Sequence, residues 1–249
     1  MSVARPSLGT LIPEPLQQLV INAAQRWPYK TAIVDGDRHL TFSELDVYTN
    51  RLANALQRLN VNKGDFVGIL APNCVEFEVG FFGILKAGAT VTTINSGYRE
   101  REIAAQLNAS GAAILIVHES LVEMAEAARQ DTPRLKRLVV INDSGDDASS
   151  FWGLIDAASG EKPAHIEIDP VHDLAALPFS SGTTGMNKGV MLAHENLHAN
   201  VRQLADRDES NAVVHDDVVL VHLPLFHIYG MTVLMLAAAL VPVSASLVR

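Results

Sequence analysis

Apolar and polar residues alternate along the chain with two periods, one typical of helices and one of strands. Residues 15–27 place leucine, valine and alanine on one helical face and are followed by Pro28, which predicts a short amphipathic helix. Two short β-type runs then flank Asp35-Gly36, a pair that indicates a hairpin turn. Residues 41–59 repeat large apolar residues every three or four positions behind Thr41 and Glu44. This pattern predicts an amphipathic helix that begins with a capping box.

The next eighty residues alternate between strand-length apolar runs and helical segments. The strand runs are DFVGILA, ATVTTIN, AAILIVH and LKRLVVIND, and glycine ends two of the helical segments between them, at Gly88 and Gly111. Because these runs are apolar on both faces, they favour a sheet that is covered on both sides. We therefore predict an α/β fold with a mostly parallel sheet and helices on both faces.

A polar, turn-rich stretch at residues 143–150 divides the chain into two parts. We expect residues 1–142 to form a first α/β lobe and residues 151–249 to begin a second one. The chain stops at Arg249, just after an apolar run of strand type, so the second lobe is expected to be truncated. A truncated core exposes apolar surface, which favours self-association.

Residues 231–248 contain no charged side chain and need a separate interpretation. Their length is at the lower limit for a membrane span. However, Pro242 divides the run into a part rich in Ala, Leu and Met and a part rich in Val and Ser. This division favours a buried helix, a turn and a strand over a stable membrane span.

Composition narrows the classes of function. Lys and Arg number 19 against 28 Asp and Glu, and the net charge of −9 argues against a nucleic-acid partner, which would need a basic surface. The single cysteine, Cys74, rules out an internal disulfide framework. The N-terminal residues include no apolar run long enough for a signal peptide, so we expect a cytoplasmic location.

The stretch FSSGTTGMNKG, which begins at Phe179, combines small hydroxyl residues and glycines with Lys188. Glycines let successive backbone N–H groups point inward, the hydroxyls add donors, and lysine supplies a mobile positive charge, so a polyphosphate is the expected ligand. The spacing differs from that of a Walker A loop, because Asn187 stands where that motif needs a glycine before the lysine. LAALPFS before the loop and KGVMLAH after it are each predicted to form one strand, and a helix is expected to begin only near Glu195. An ordinary hairpin turn is the alternative that composition leaves open.

The order of residues in this stretch resembles a known signature. SSGTTGMNKGVMLAH is similar to the phosphate-loop motif of the adenylate-forming enzymes, a superfamily that includes acyl-CoA synthetases and adenylation domains. LTFSELD, GDFVGILAPNC and LPLFHIYG resemble further segments of that superfamily in the same order, and LPLFHIYG points to the branch of 4-coumarate–CoA ligases and acyl-CoA synthetases. One departure is Asn187, where the family motif has proline. Asparagine tolerates turn geometry, so we expect a somewhat looser loop.

The resemblance implies a fold, a reaction and a set of site residues. The fold would be the N-terminal part of the large domain of an acyl-CoA synthetase, without its C-terminal domain. The reaction would activate a small-molecule carboxylic acid with ATP and Mg²⁺ to an acyl-adenylate and then form a thioester with coenzyme A. The residues implied to hold the phosphates are Ser180, Ser181, Gly182, Thr183, Thr184, Gly185 and Lys188.

The second implied group of site residues lies in LPLFHIYG. The resemblance gives His227 a catalytic position near the carboxylate and the α-phosphate, and it places Tyr229 and Gly230 at the border of the acyl pocket. From the residues alone, His227 also fits a core histidine beside an apolar helix. His194 is interpreted as a helix-start or packing residue, and no residue is assigned as a metal ligand.

Two further interpretations of the chain stay open. It can be a non-catalytic, truncated nucleotide-binding remnant, or an interaction module that keeps the fold without the chemistry. Tight nucleotide binding should raise the melting temperature, whereas an interaction module predicts no such rise.

We expect the 249-residue chain on its own not to form acyl-adenylate. The resemblance places the adenine loop, the aspartate that binds ribose and the C-terminal domain with its catalytic lysine after Arg249. Exchange between ATP and pyrophosphate by the purified chain tests this prediction, and robust exchange with any acid would contradict it.

Overall fold

The structure, a computed structural model, describes residues 12–142, 150–181, 187–205 and 216–248. Within these residues the chain forms two larger sheets, a two-stranded hairpin and the helices that pack on them. The helices are α1 (Gln18–Arg26), α2 (Phe42–Arg58), α3 (Val75–Lys86), α4 (Glu100–Ser110), α5 (Val122–Arg129), α6 (Phe151–Asp156), α7 (His194–Ala205) and α8 (Ala237–Leu240), with a 3-10 turn at Glu119–Leu121 and a π-helix at Gly230–Leu236. The strands are β1 (Thr31–Asp35), β2 (Arg38–Thr41), β3 (Phe66–Leu70), β4 (Thr90–Ile94), β5 (Ile114–His118), β6 (Arg137–Ile141), β7 (Leu174–Ala176), β8 (Phe179–Ser181), β9 (Asn187–Gly189), β10 (Leu192–Ala193), β11 (Val218–Val221) and β12 (Ser244–Leu247).

The larger sheet contains six strands in the order β10-β7-β4-β3-β5-β6. Its five strands from β7 to β6 run parallel, and β10 joins the edge antiparallel to β7. The four strand runs predicted between residues 65 and 143 form β3, β4, β5 and β6. The predicted α/β fold with a mostly parallel sheet is therefore confirmed.

Helices cover this sheet on both faces. Val67, Ile69 and Ile116 belong to the main hydrophobic cluster, which also contains the buried residues of α2 and α3. Leu115 and Val117, which point to the opposite face because side chains alternate along a strand, belong to a second cluster with the buried residues of α4 and α5. Burial on both faces explains why these strands read as continuous apolar runs.

A second sheet joins distant parts of the chain in the order β11-β12-β1-β2. β1 and β2 form the predicted hairpin, and Gly36 adopts the left-handed conformation with φ of 60° at its turn. On its other side β1 pairs in parallel with β12, which brings Ile33 opposite Ala245. The sequence pattern did not indicate this pairing, because it joins residues more than 200 positions apart.

Strands from both sides of residues 143–150 share both sheets. β7 and β10 lie in the six-stranded sheet beside β4, while β11 and β12 lie in the four-stranded sheet beside β1. The division into lobes at residues 142 and 151 stays a prediction about the chain's organisation. Spatially, the two stretches contribute to a common set of sheets.

The contact between α2 and α3 forms the centre of the main core. α2 begins with the predicted capping box, in which the Glu44 N–H donates to Thr41 Oγ1 at 3.2 Å and the Thr41 N–H donates to Glu44 Oε2 at 2.8 Å. α3 is buried along its whole length. A Cβ atom on Gly83 would lie 2.7 Å from a methyl group of Leu52, so the close approach of the two helices requires glycine there.

The runs predicted as single strands around the glycine-rich loop are each divided in two, which corrects the sequence prediction. LAALPFS forms β7 and β8, and KGVMLAH forms β9 and β10. Pro178 lies between β7 and β8 and has no N–H to donate to a sheet. β7 and β10 therefore pair within the larger sheet, whereas β8 and β9 pair with each other.

The uncharged run at residues 231–248 forms helix, turn and strand, as the sequence predicted. It consists of most of the π-helix, α8, a turn at Pro242 and β12. No helix in the described part of the chain is both long and apolar enough to cross a membrane.

Glu78 gives the fold a pH dependence in the neutral range. It lies in α3, its Oε1 has no hydrogen-bond partner within the described residues, and burial raises its pKa to about 8. Because this value exceeds the ordinary 4.5, the folded state keeps a proton that the unfolded state releases. The contribution of Glu78 to the free energy of unfolding therefore decreases, and the fold becomes less stable, as the pH rises from about 4.5 through 8.

The variant Glu78→Gln should remove this pH dependence. We expect wild type to lose stability relative to Glu78→Gln when urea denaturation is repeated at pH 8 instead of pH 5, since glutamine does not titrate. An equal change in the free energy of unfolding for both proteins would contradict the prediction.

His194 gives the fold a second pH dependence, in the acid range. Its Nδ1 accepts a hydrogen bond of 3.0 Å from the Leu16 N–H, and burial lowers its pKa to about 4 against the opposing effect of Asp173. This contact confirms the interpretation of His194 as a packing residue at a helix start. Between pH 6.5 and 4 the unfolded state binds a proton at His194 that the folded state does not bind. The contribution of His194 to the free energy of unfolding therefore decreases as the pH falls from 6.5 towards 4.

The variant His194→Asn retains an acceptor near the position of Nδ1 but has no titrating group. We expect its stability to fall less than that of wild type between pH 7 and pH 4.5, measured by chemical denaturation. His194→Ala serves as the matched variant without an acceptor and should be less stable than His194→Asn at pH 7. Parallel pH profiles for wild type and His194→Asn would show that His194 does not titrate in this range.

Candidate functional site

The glycine-rich loop extends from a short antiparallel hairpin. β8 and β9 pair in a register that places Phe179 opposite Gly189, Ser180 opposite Lys188 and Ser181 opposite Asn187. The prediction that strands lie on both sides of the loop is thus confirmed. Of the residues assigned to the loop, Gly182, Thr183, Thr184 and Gly185 lie outside the described residues, and so does the Ser181 side chain.

Ser180 and Lys188 supply two donors on one face of the hairpin. Cross-strand partners in an antiparallel pair project to the same side, and both of these side chains are exposed. Among the residues that the structure describes, no carboxylate forms an ion pair with Lys188. A hydroxyl group and an ammonium group on one exposed face are suited to bind an anion.

The base of the hairpin is packed closely. A Cβ atom on Gly189 would lie 3.1 Å from both the Phe179 ring and a methyl group of Leu177, so glycine lets the ring cover the partner strand. The Val190 N–H donates to the Pro178 carbonyl, and the Leu177 N–H donates to the Val91 carbonyl of β4. The hairpin therefore extends directly from the carboxyl edge of the six-stranded sheet.

Asn187 connects the end of the loop to another element. Its Nδ2 donates a hydrogen bond of 2.9 Å to the hydroxyl oxygen of Tyr98, a residue between β4 and α4. Asn187 does not adopt a positive φ. The looser loop expected from this residue concerns residues 182–186, which lie outside the described part of the chain, and it stays a prediction.

The second group of predicted site residues lies between β11 and the π-helix. His227 is exposed, its N–H donates to the Pro224 carbonyl, and its Nδ1 accepts from the Tyr229 N–H at 3.3 Å. With Nδ1 acting as acceptor, a neutral imidazole carries its proton on Nε2, which is left to donate outward. The helix that follows is a π-helix, a form that is frequent at functional sites.

Tyr229 and Gly230 differ in what the structure shows of them. The Tyr229 side chain is 51% exposed and is therefore accessible to a ligand. Gly230 is buried, and a Cβ atom there would collide with the backbone carbonyl of Pro224. The glycine is thus required by the close approach of two backbone segments, a reason that the sequence did not indicate. Its place in an acyl pocket stays a prediction.

Two buried polar side chains hold the histidine segment, and the sequence analysis missed both. Asn73 follows β3, and its Nδ2 lies within 3.1 to 3.3 Å of the carbonyls of Val221, Leu223 and Val248, while its Oδ1 accepts from the Leu225 N–H at 2.9 Å. Thr93 of β4 donates from its hydroxyl to the carbonyl of the residue before His227, at 2.9 Å. The available signal in the sequence was the run of threonines in β4 and the asparagine just after β3.

Parallel strands bring these parts to one edge of the larger sheet. Asn73 follows β3, Tyr98 follows β4 and the β8–β9 hairpin follows β7, and these three strands are parallel neighbours. Ligands of open α/β sheets bind at the carboxyl ends of their strands. Of the predicted site residues that the structure describes, Ser180 and Lys188 lie on the hairpin that follows β7, and His227 lies in the segment that Thr93 of β4 contacts.

Outside the candidate site, the thiol of Cys74 and the metal-ligating residue types were also candidates for chemistry. Cys74 is buried at the start of α3, and burial together with the nearby Glu76 carboxylate raises the pKa of its thiol, which keeps it protonated. Within the described residues, no group of three or more His, Cys, Asp or Glu side chains is placed to hold a metal ion.

Comparison with known sequences gives a consistent set of relatives. A family profile described as AMP-binding enzyme matches residues 20–248. A 4-coumarate–CoA ligase of Pinus taeda is 36% identical over 228 residues, which are 90% of this chain and 42% of that protein. 4-Coumarate–CoA ligase 4 of Arabidopsis thaliana is 37% identical and covers 84% of this chain, which matches 38% of that protein. The chain thus spans about two fifths of the length of these relatives.

Solved structures agree with the sequence comparison. A long-chain-fatty-acid-CoA ligase of Archaeoglobus fulgidus superposes with a TM-score of 0.87 at 28% identity, covering 98% of this chain and 48% of that one. The anthranilate CoA ligase AuaEII, solved in complex with anthranoyl-AMP, gives a TM-score of 0.85 at 28% identity and covers 96% of this chain and 45% of that one. From the extent of the family match and the agreement in fold, the chain belongs to the family of AMP-binding enzymes.

Proposed function

We propose that this protein activates a carboxylic acid with ATP to an acyl-adenylate and then transfers the acyl group to the thiol of coenzyme A. The observation that carries the proposal is the pairing of Ser180 with Lys188 on an exposed hairpin, at the sheet edge where His227 is also held. The named activities of the 4-coumarate–CoA ligases and of the anthranilate CoA ligase bound to anthranoyl-AMP support the same reaction.

The first step brings two anions together, which defines what the site must supply. A carboxylate oxygen bonds to the α-phosphorus of ATP, the bond to the bridging oxygen breaks, and pyrophosphate leaves with that electron pair. Positioning and charge neutralisation dominate the catalysis of such a step. Lys188 and the Ser180 hydroxyl bind the β- and γ-phosphates, and the backbone and hydroxyl donors of residues 181–185 complete this phosphate site.

His227 is assigned to the reacting centre. Its Nε2–H points away from the hydrogen bond that Nδ1 accepts from Tyr229, so it is available to donate to the oxygen atoms where negative charge develops. Exposed Tyr229 borders the acid. Gly230 allows the close backbone contact with Pro224, and the turn formed there carries the side chains of His227 and Tyr229.

Mg²⁺ enters this proposal as the partner of ATP. The described hairpin offers the Ser180 hydroxyl and the Lys188 ammonium group as donors for the phosphates. Mg²⁺ commonly keeps its contacts to substrate phosphates and waters. When bound, it neutralises charge on the phosphate oxygens.

Exchange of labelled pyrophosphate into ATP by the full-length gene product tests the proposal. The acids follow the names of the relatives: 4-coumarate, anthranilate and a long-chain fatty acid. We expect acid-dependent exchange, and coenzyme A should convert the adenylate to a thioester. If none of these acids supports exchange and ATP does not raise the melting temperature, the results favour an interaction module instead.

The variant Lys188→Ala isolates the phosphate contact. A charge-assisted hydrogen bond contributes about 1.5 to 3 kcal/mol, so kcat/KM for ATP should fall by about 10- to 150-fold. Lys162→Ala is the matched control, because it removes an exposed lysine outside the hairpin. His227→Ala should instead lower kcat with little change in KM for ATP. Equal kinetics for Lys188→Ala and Lys162→Ala would remove the hairpin from the proposed site.

A further inference from the structure

β4 contacts both parts of the candidate site through hydroxyl groups. The Thr92 hydroxyl donates to the carbonyl of Leu177, two residues before β8, at 2.9 Å. The Thr93 hydroxyl donates to the carbonyl of Phe226, directly before His227, also at 2.9 Å. Neighbouring residues of a strand project to opposite faces, so one strand holds the two segments from its two sides.

The strand itself is held firmly enough to act as a reference. Thr92 and Thr93 are buried, and β4 lies between β3 and β7 inside the parallel sheet. From α4, Gln106 Nε2 donates to the Thr92 hydroxyl and to the Thr93 carbonyl, both at 2.9 Å. The hydroxyl of Thr92 therefore has a partner for donation and another for acceptance.

The turn after β4 adds a third contact, to the far end of the hairpin. The Tyr98 N–H donates to the Asn95 carbonyl, and the Tyr98 ring packs against the hydrophobic cluster of α4 and α5. Burial and the nearby Glu102 carboxylate raise the Tyr98 pKa, so the phenol stays protonated. Its oxygen accepts the hydrogen bond from Asn187, which lies opposite Ser181 at the open end of the β8–β9 ladder.

The contact at Asn187 has a role that matches its position. The family motif has proline here, which limits the chain by fixing φ. In this chain the hydrogen bond from Asn187 to Tyr98 restricts the movement of residue 187 through a contact with another segment. Residues 179–181 and 187–189 are thereby held at both strands, one through Leu177 and the other through Asn187.

We propose that Thr93 and Tyr98 are positioning residues that set the location of His227 and of the β8–β9 hairpin relative to a common strand. The proposal rests on the proposed function, because it assigns these two segments to one reaction. Phosphates held by Lys188 and a carboxylate near His227 must meet at one phosphorus atom, and small displacements of reacting groups cost large factors in rate. Since the two segments lie about forty residues apart in the chain, β4 supplies the shared reference that the local sequence does not.

Conservative variants of the full-length gene product separate the two arms. Thr93→Val removes the hydroxyl that holds the histidine segment, and we expect kcat for pyrophosphate exchange to fall about fivefold with KM for ATP unchanged. Tyr98→Phe removes the acceptor for Asn187, and we expect KM for ATP to rise about fivefold with KM for the acid unchanged. Thr93→Ser keeps the hydroxyl and should restore kcat.

Thr90→Val is the matched control on the same strand. Thr90 is a buried threonine whose hydroxyl donates to the Leu174 carbonyl at 3.0 Å, at the opposite end of β4 from the site. Its loss should lower the melting temperature as much as Thr93→Val does, without the change in kcat. If Thr90→Val and Thr93→Val have the same kinetic effect, the role of Thr93 is only structural and the proposal fails.

A double-mutant cycle tests the Asn187 contact. If the hydrogen bond carries the effect, Asn187→Ala, Tyr98→Phe and the double variant should all show the same rise in KM for ATP. Additive effects would show that the two side chains act independently and would overturn this arm.

Hydrogen exchange decides the proposal without reference to activity. In the absence of ligands, Thr93→Val should speed amide exchange in residues 222–230 and leave residues 187–193 unchanged, and Tyr98→Phe should do the reverse. Unchanged exchange in both variants would overturn the positioning role even in an active enzyme. If the protein shows the predicted pattern of amide hydrogen exchange but does not catalyse ATP–pyrophosphate exchange, the positioning contacts of Thr93 and Tyr98 stand and only the proposed function is refuted.

Discussion

The buried side-chain amide of Asn73 connects the end of β3 to the segments after β11 and β12, at the edge where the candidate site lies. Its Nδ2 shares two hydrogens among three backbone carbonyls, and its Oδ1 accepts a backbone N–H. Those backbone groups belong to the last residue of β11 and to residues that follow β11 and β12, whereas Asn73 itself follows β3. Buried backbone groups without partners would cost free energy comparable to lost hydrogen bonds, so the path of residues 221–225 depends on this side chain.

The same physical rule explains the polar residues of β4. This strand is buried on both faces, yet three of its five residues are threonines. Each hydroxyl donates to a backbone carbonyl of a segment that packs beside the strand. Buried hydroxyl groups are tolerated because they are paired, and their partners give the strand a specific orientation towards the hairpin and the histidine segment. The described segments of the candidate site are therefore held by side chains from the interior of the sheet.

The sequence predicted more of the site's chemistry than of its geometry. The order of residues around Lys188 indicated an anion site between two strands; the hairpin register confirms the two strands, and the anion site stays a prediction. No pattern in the sequence indicated that Asn187 donates a hydrogen bond to Tyr98 or that Gly230 is needed for a backbone contact with Pro224. Both contacts join residues that no local period relates. The division of LAALPFS at Pro178 was also missed, although proline's missing N–H offered the signal.

By itself the sequence determined the local elements and the class of the sheet. Continuous apolar runs that alternate with helical segments require strands buried on both faces, and capping residues such as Thr41 and Glu44 fix where a helix begins. The tertiary structure alone decided that β12 pairs with β1 and that β4 holds two distant segments. Local sequence patterns reflect interactions between residues that are close in the chain. These contacts instead depend on which buried polar groups form hydrogen bonds when distant strands pack together.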